Sequence, residues 1–217
     1  MLIARVLAVS LLLAALAVAA RADAFVLARN GVPQCVVRAE GSAATAPADE
    51  LALYLERIVG TRFPRLGRGP RLVVRVEPEL GRAIRVGTAE GPNLIIAGGS
   101  EAETWFGVYR FLYGLGCRWF MPGEIGECVP SRSSLSVEPA AVPYTPPFSL
   151  RVIWYAWGNP DGDPQAMPRF EQWSRRYCLN PHQSLSHGHN LLSPIKPEKY
   201  FEEHPEYYAL YQGERRA

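Results

Sequence analysis

His187 and His189, one residue apart, are the side chains whose spacing points most directly at chemistry. In an extended segment alternate side chains share a face, so the two imidazoles would lie together. Some metal-dependent hydrolases present two histidines to zinc this way, but a metal needs further ligands, and no motif places His182, His204 or Cys178 beside the pair. The commoner role is a loop pair that donates hydrogen bonds to substrate or caps backbone. His187 and His189 are therefore candidate substrate contacts, and no metal or other cofactor is expected.

Acid–base cleavage of a glycosidic bond needs two carboxyl groups about 5 to 9 Å apart. Asp161 and Asp163 sit in a Gly/Pro turn, and Glu202, Glu203 and Glu206 surround a short helix end, where acids are normally solvated. None is a candidate catalytic acid or base. Trp154, Tyr155 and Trp157 fall in an extended run, so Trp154 points to one side and Tyr155 and Trp157 to the other. Packing is the commoner fate of strand aromatics. Trp157, at the end of the run, is best placed to line a pocket where a sugar ring stacks.

Cys35, Cys117, Cys128 and Cys178 allow three full pairings. Cys117 with Cys128 is the favoured disulfide candidate, since the two flank a turn containing Pro122, Gly123 and Gly126. Closing so short a loop contributes roughly 3 kcal/mol by chain entropy. Two buried thiols are the competing reading, and the spacing matches no zinc ribbon.

The elements that must position these residues begin after a leader. One positive residue in Met1–Arg5, an apolar run over residues 6–20 and small residues up to Ala24 read as a signal peptide over residues 1–24, cut after Ala22 or Ala24. The run is shorter than the roughly 20 residues of a membrane span. An exported, periplasmic or extracellular protein with no membrane contact after signal removal is expected. Of 217 residues, 23 are basic and 21 acidic, for a net charge of +2. Without a basic footprint, nucleic acid is excluded as a partner. Arg62, Arg65, Arg68 and Arg71 form a local run in a Gly/Pro-broken loop, where solvation explains them.

Phe25 to Ala28 and Gln34 to Arg38 read as strands joined at Asn30-Gly31, a hairpin signal. Leu51, Tyr54, Leu55 and Ile58 form a helical stripe with Pro47 in its first turn and Gly60 as its stop. Three strands follow at Leu72–Val76, Ala83–Val86 and Asn93–Ala97. Ser100 and Glu103 make a capping box for a helix in which Trp105, Val108, Tyr109, Leu112 and Leu115 keep helical spacing. Phe106, Phe111 and Tyr113 make its other faces apolar too, so it must be covered on two sides, by a sheet and by a second domain. Arg118 to Phe120, Glu127 to Val129 and Leu135 to Val137 look extended. Pro139, Pro143, Pro146 and Pro147 then mark a linker over residues 139–148. Beyond it come an extended run over Ser149–Trp157, a helix carrying Met167, Phe170, Ser174 and Tyr177, a short helix from Pro197 and an extended stretch over Tyr207–Tyr211.

Four pieces carry a family resemblance: Gly107 to Leu112, Gly116 to Glu124, Pro147 to Arg151, and Tyr200, Phe201, His204, Pro205, Glu206, Tyr207. Together they resemble a family of secreted bacterial proteins filed as a domain of unknown function. Those proteins are similar at the N-terminus to alpha-glucuronidases and beta-hexosaminidases, in which a small α/β domain precedes a catalytic (β/α)8 barrel. The resemblance implies an α/β fold: a small mixed-sheet domain with helices packed on it over residues 25–138, then the start of an incomplete (β/α)8 barrel over residues 149–217. A barrel needs about 250 residues, so the catalytic carboxylates of a glycoside hydrolase would lie beyond this chain. The related hydrolases use an arginine near the first barrel strand to hold sugar hydroxyls in forked hydrogen bonds. Arg151 is the matching candidate, with a structural ion pair between domains as the alternative. The expected partner is a carbohydrate substrate. The rival readings are a non-catalytic glycan-binding or surface protein and a metal-dependent hydrolase using His187 and His189.

Overall fold

Asn30 and Gly31 take φ values of 51° and 79° and turn strand β1 (Phe25–Arg29) back on β2 (Val32–Pro33), as the Asn-Gly pair requires. This computed structural model describes residues 24–153, 163–179 and 195–216. The expected signal peptide lies outside them except for Ala24, as do Trp154, Tyr155, Trp157, Asp161, His182, His187 and His189. The hairpin ends after two residues, because Pro33 has no amide to give. The chain then starts a second sheet at β3 (Val36–Glu40). What reads in sequence as one strand over Gln34 to Arg38 is thus a sheet-to-sheet crossing.

The second sheet adds β4 (Arg71–Val76), β5 (Ile84–Glu90) and β6 (Asn93–Gly98) in the order β3-β4-β6-β5. The pairs β3·β4 and β4·β6 are parallel and β5·β6 is antiparallel, so the sheet is mixed. Its central strands carry apolar residues on both faces, as strands buried on two sides do. Leu72, Val74, Leu94 and Ile96 join a core with Leu51, Tyr54, Leu55 and Ile58 of helix α1 (Thr45–Val59) and Val108 and Leu112 of helix α2 (Glu101–Gly114). Val73, Ile95 and Ala97 face the other way, beside Leu80. On strand parity Arg75 and Arg85 share that second face. They are tied there to Glu77 and Glu90 by ion pairs of 2.6 to 3.3 Å.

α1 ends where expected, at Gly60 with φ 80°. The capping box on α2 differs in detail from expectation. Ser100 Oγ accepts from the Glu103 amide at 3.5 Å and donates to the Glu103 carboxylate, which binds the hydroxyl of the cap rather than its amide. After α2 come β7 (Arg118–Trp119) and β8 (Glu127–Cys128), an antiparallel pair, and β9 (Leu135–Val137), which returns to β1.

The chain divides into two compact units, residues 1–181 and 182–217. The proline-rich stretch therefore runs inside the first unit. Ile84 and Tyr144 exchange both backbone hydrogen bonds at 2.8 Å, and the Ala140 amide bonds Gly87 O. Beyond this stretch α3 (Ala166–Arg176) packs on α2. Phe106, at 4% exposure, lies under the Arg151 guanidinium at 5.3 Å, and its carbonyl accepts from Cys178 Sγ. Helix α2 is thus covered on two sides, as its composition demands. Residues 149–153 pair in no strand, residues 154–157 of the expected run lie outside the described residues, and what is described is a mixed α/β unit with several small sheets. In the second unit, α4 (Pro197–Tyr200) precedes a hairpin of β10 (Ala209–Tyr211) and β11 (Glu214–Arg216). No helix among the described residues is long and apolar enough to cross a membrane.

Trp105 is only partly buried, stacked on Tyr109 at 5.8 Å, while Trp119 is at 0% exposure. Trp119→Ala is expected to cost about 3–5 kcal/mol, and Trp105→Ala clearly less. Urea unfolding of both variants checks the order, and equal losses would contradict this packing.

Candidate functional site

Glu127 stands where four elements meet, and its side chain is 8% exposed. Its position follows from the β7·β8 register, which sets it opposite Trp119. The Trp119 indole Nε1 donates to Glu127 Oε1 and to the Tyr54 hydroxyl, both at 2.9 Å. Tyr54, on the buried stripe of α1, donates its own proton to Glu127. One turn on, Arg57 Nη2 reaches Glu127 Oε2 at 2.8 Å. From α3, Arg176 Nη2 approaches Oε1 at 3.4 Å, with its guanidinium 5.5 Å from the Trp119 ring centre. The Trp173 indole donates to Trp119 O at 2.7 Å, fixing α3 against the same strand. Tyr54 and Tyr109 set their ring edges against Trp119 at 5.6 and 5.5 Å, and the Tyr109 hydroxyl bonds Glu50 at 2.8 Å.

The electrostatics of this cluster are those of a lock rather than a reaction centre. Burial alone would raise the Glu127 pKa, but hydrogen bonds from Arg57, Tyr54 and Trp119 and the Arg176 charge outweigh it and hold it below the ordinary 4.5. Burial, with Glu127 beside one and Glu50 beside the other, pushes the Tyr54 and Tyr109 phenols up, so both stay protonated. A general acid for glycoside cleavage needs a raised carboxyl pKa. Glu127 has the reverse, and its oxygens are already engaged by four donors.

Beside the cluster lies an open cleft of about 680 Å³. One wall is the α3 face carrying Arg169, Gln172 and Arg176, which fall at i, i+3 and i+7. The other is the turn from Pro122 to Ile125. Gly123 has φ 89°, and a Cβ there would touch Arg169 Cδ at 3.5 Å, so the turn comes close to α3 at that point. Arg169 pairs with Asp163, whose other oxygen caps the Gln165 amide at 2.9 Å.

Arg151 donates from Nε to Cys178 O and from Nη1 to Phe148 O, both at 2.6 Å. It ties the segment after the prolines to the end of α3 through carbonyls, and among the described residues it makes no ion pair. The Cys117–Cys128 bridge is not formed, and all four cysteines are free thiols. The β7·β8 register sets Cys128 against Arg118, which leaves Cys117 on the opposite face. Cys117 is accordingly sealed in the core, where burial pushes its thiol up to about 11, while Cys128 is exposed. Glu202, Glu203 and Glu206 are exposed, and Glu206 pairs with His204 at 3.0 Å. No group of three or more His, Cys, Asp or Glu among the described residues is placed to hold a metal. Trp157, His187 and His189 lie outside the described residues, which build a polar centre from Glu127, Tyr54, Trp119, Arg57 and Arg176. The sequence gives one signal for that centre, since Trp119 and Glu127 flank the turn already marked by Pro122 and Gly126. No protein-family model matches the chain, and no curated protein matches it in sequence.

A carboxylate whose pKa is lower folded than unfolded adds stability that is full above its unfolded value and lost as pH falls through the folded one. Glu127→Gln is expected to cost about 3–5 kcal/mol at neutral pH, with the gap to the unsubstituted protein narrowing below 4.5. Urea unfolding at neutral pH and in acid measures both, and a pH-independent gap would show that Glu127 is not held ionised.

Proposed function

We propose that this chain is the N-terminal part of an exported carbohydrate-active protein, a glycoside hydrolase relative. Residues 25–138 form the small α/β domain that resembles those of alpha-glucuronidases and beta-hexosaminidases. Residues from 149 onward begin a (β/α)8 barrel, and the catalytic carboxylates lie outside this chain. The observation that carries the reading is the double cover of α2: a sheet-side core beneath it, and Arg151 and α3 from beyond the prolines against its other side. An arrangement that docks a small domain on the start of a second one needs this face to be apolar and covered.

The division of labour follows from the site. Glu127 is locked in an ion cluster, Asp163 is paired with Arg169, and Glu202, Glu203 and Glu206 are exposed, so none of these carboxylates is offered as a catalytic acid or base. Arg151 is a tie between segments. Contact with sugar is assigned to Trp157, His187 and His189, on the residue types argued from the sequence. Residues 1–24 direct export.

Incubating the product of the complete reading frame with a glycan library tests the proposal. Release of free sugar is the expected outcome. Binding without release would instead mark a non-catalytic glycan-binding protein, and neither binding nor release would remove the carbohydrate reading.

A further inference from the structure

We infer that the cleft between α3 and the Pro122–Ile125 turn is a binding site for a neutral sugar unit, separate from any catalytic centre. Its volume of about 680 Å³ falls in the range of ligand pockets, about 300–1,000 Å³. Three long polar side chains, Arg169, Gln172 and Arg176, stand in one row along a helix face and line the cleft. Polar residues on a solvated helix face need no explanation, but Arg176 is not on one. Its side chain is 8% exposed, and its Nε has no hydrogen-bond partner. A buried guanidinium donor left without an acceptor is costly. A modest turn of this group toward the cleft, met by a ligand oxygen, would satisfy it.

The charge balance selects the class of ligand. Arg169 is matched by Asp163, Arg57 and Arg176 share Glu127, and Glu124 stands on the opposite wall, so three guanidinium groups face three carboxylates. An anion would meet no surplus positive charge here. A sugar hydroxyl both donates and accepts, and the cleft offers both: guanidinium and amide donors along α3, and a carboxylate acceptor at Glu124 on the opposite wall. Pro122 and Ile125 add an apolar edge for the face of a ring. The existence of the site rests on Arg176 and the cleft. The choice of a sugar over another neutral polyol rests on the proposed function.

The test is saturation-transfer NMR on the full chain with methyl glycosides of glucose, galactose and N-acetylglucosamine, and with sodium glucuronate as the charged probe. Neutral glycosides are expected to bind, with affinity falling roughly tenfold, about 1.4 kcal/mol, in Gln172→Ala and in Arg169→Ala. Both residues are exposed, and thermal unfolding of each variant confirms that the fold is kept. Absence of binding by every neutral probe, equal binding by the variants, or preference for glucuronate would each overturn the inference. The two proposals fail separately. Sugar release by the complete protein with no binding in this cleft removes only the site, while variant-sensitive binding without any release removes only the hydrolase reading.

Discussion

A carboxylate taken out of water costs several kcal/mol unless charge and hydrogen bonds are returned to it, and Glu127 is such a group. Its donors come from α1, β7 and α3, so that one side chain on a two-residue strand sets where three other elements stand. The angle of α1 follows, because Tyr54 and Arg57 must both reach the same group. The β7·β8 register follows too, because a slip of one residue would turn Glu127 to the opposite face. Arg176 extends the constraint past the prolines, since α3 cannot leave without unpairing a guanidinium that is itself buried. Packing gives this unit its stability, and the carboxylate gives the packing one arrangement.

The parts of the fold legible in the sequence are those governed by local periodicity. Leu51, Tyr54, Leu55 and Ile58 are buried at the spacing that marked them, Asn30-Gly31 turns as its dihedral preferences demand, and Leu135–Val137 is a strand. Less legible was what a strand pairs with. β9 returns to β1 across the whole domain, and β5 lies outside β6 instead of between β4 and β6. Short apolar runs specify a pleat but carry no address for a distant partner. The polar cluster was hidden for a similar reason. Tyr54 reads as core because most of its surface is apolar, and its hydroxyl acquires meaning only once Glu127, 73 residues away, is brought to it.

The proline-rich stretch shows how composition can state stiffness correctly and leave docking open. Four prolines in nine residues exclude a helix and an inner strand, and neither forms there. The bonding to β5 is nonetheless made, through the amides of Ala140 and Tyr144. Arg110 completes the contact by stacking 3.6 Å from the Tyr144 ring centre. The stretch thereby covers the edge of the mixed sheet, where an open row of amides and carbonyls would invite another chain. A segment that looks like a joint serves as a cap.

Stiff cover and buried ion cluster bear on function in the same way. Both devices reduce the freedom of the segment that follows residue 138. Catalytic carboxylates need the opposite treatment: one kept protonated by an apolar setting, its companion ionised, and space between them for a bond to break. Glu127 is held ionised, with its oxygens engaged by four donors, and the cleft beside it offers hydrogen bonds. The physical properties of this unit are those of positioning and recognition.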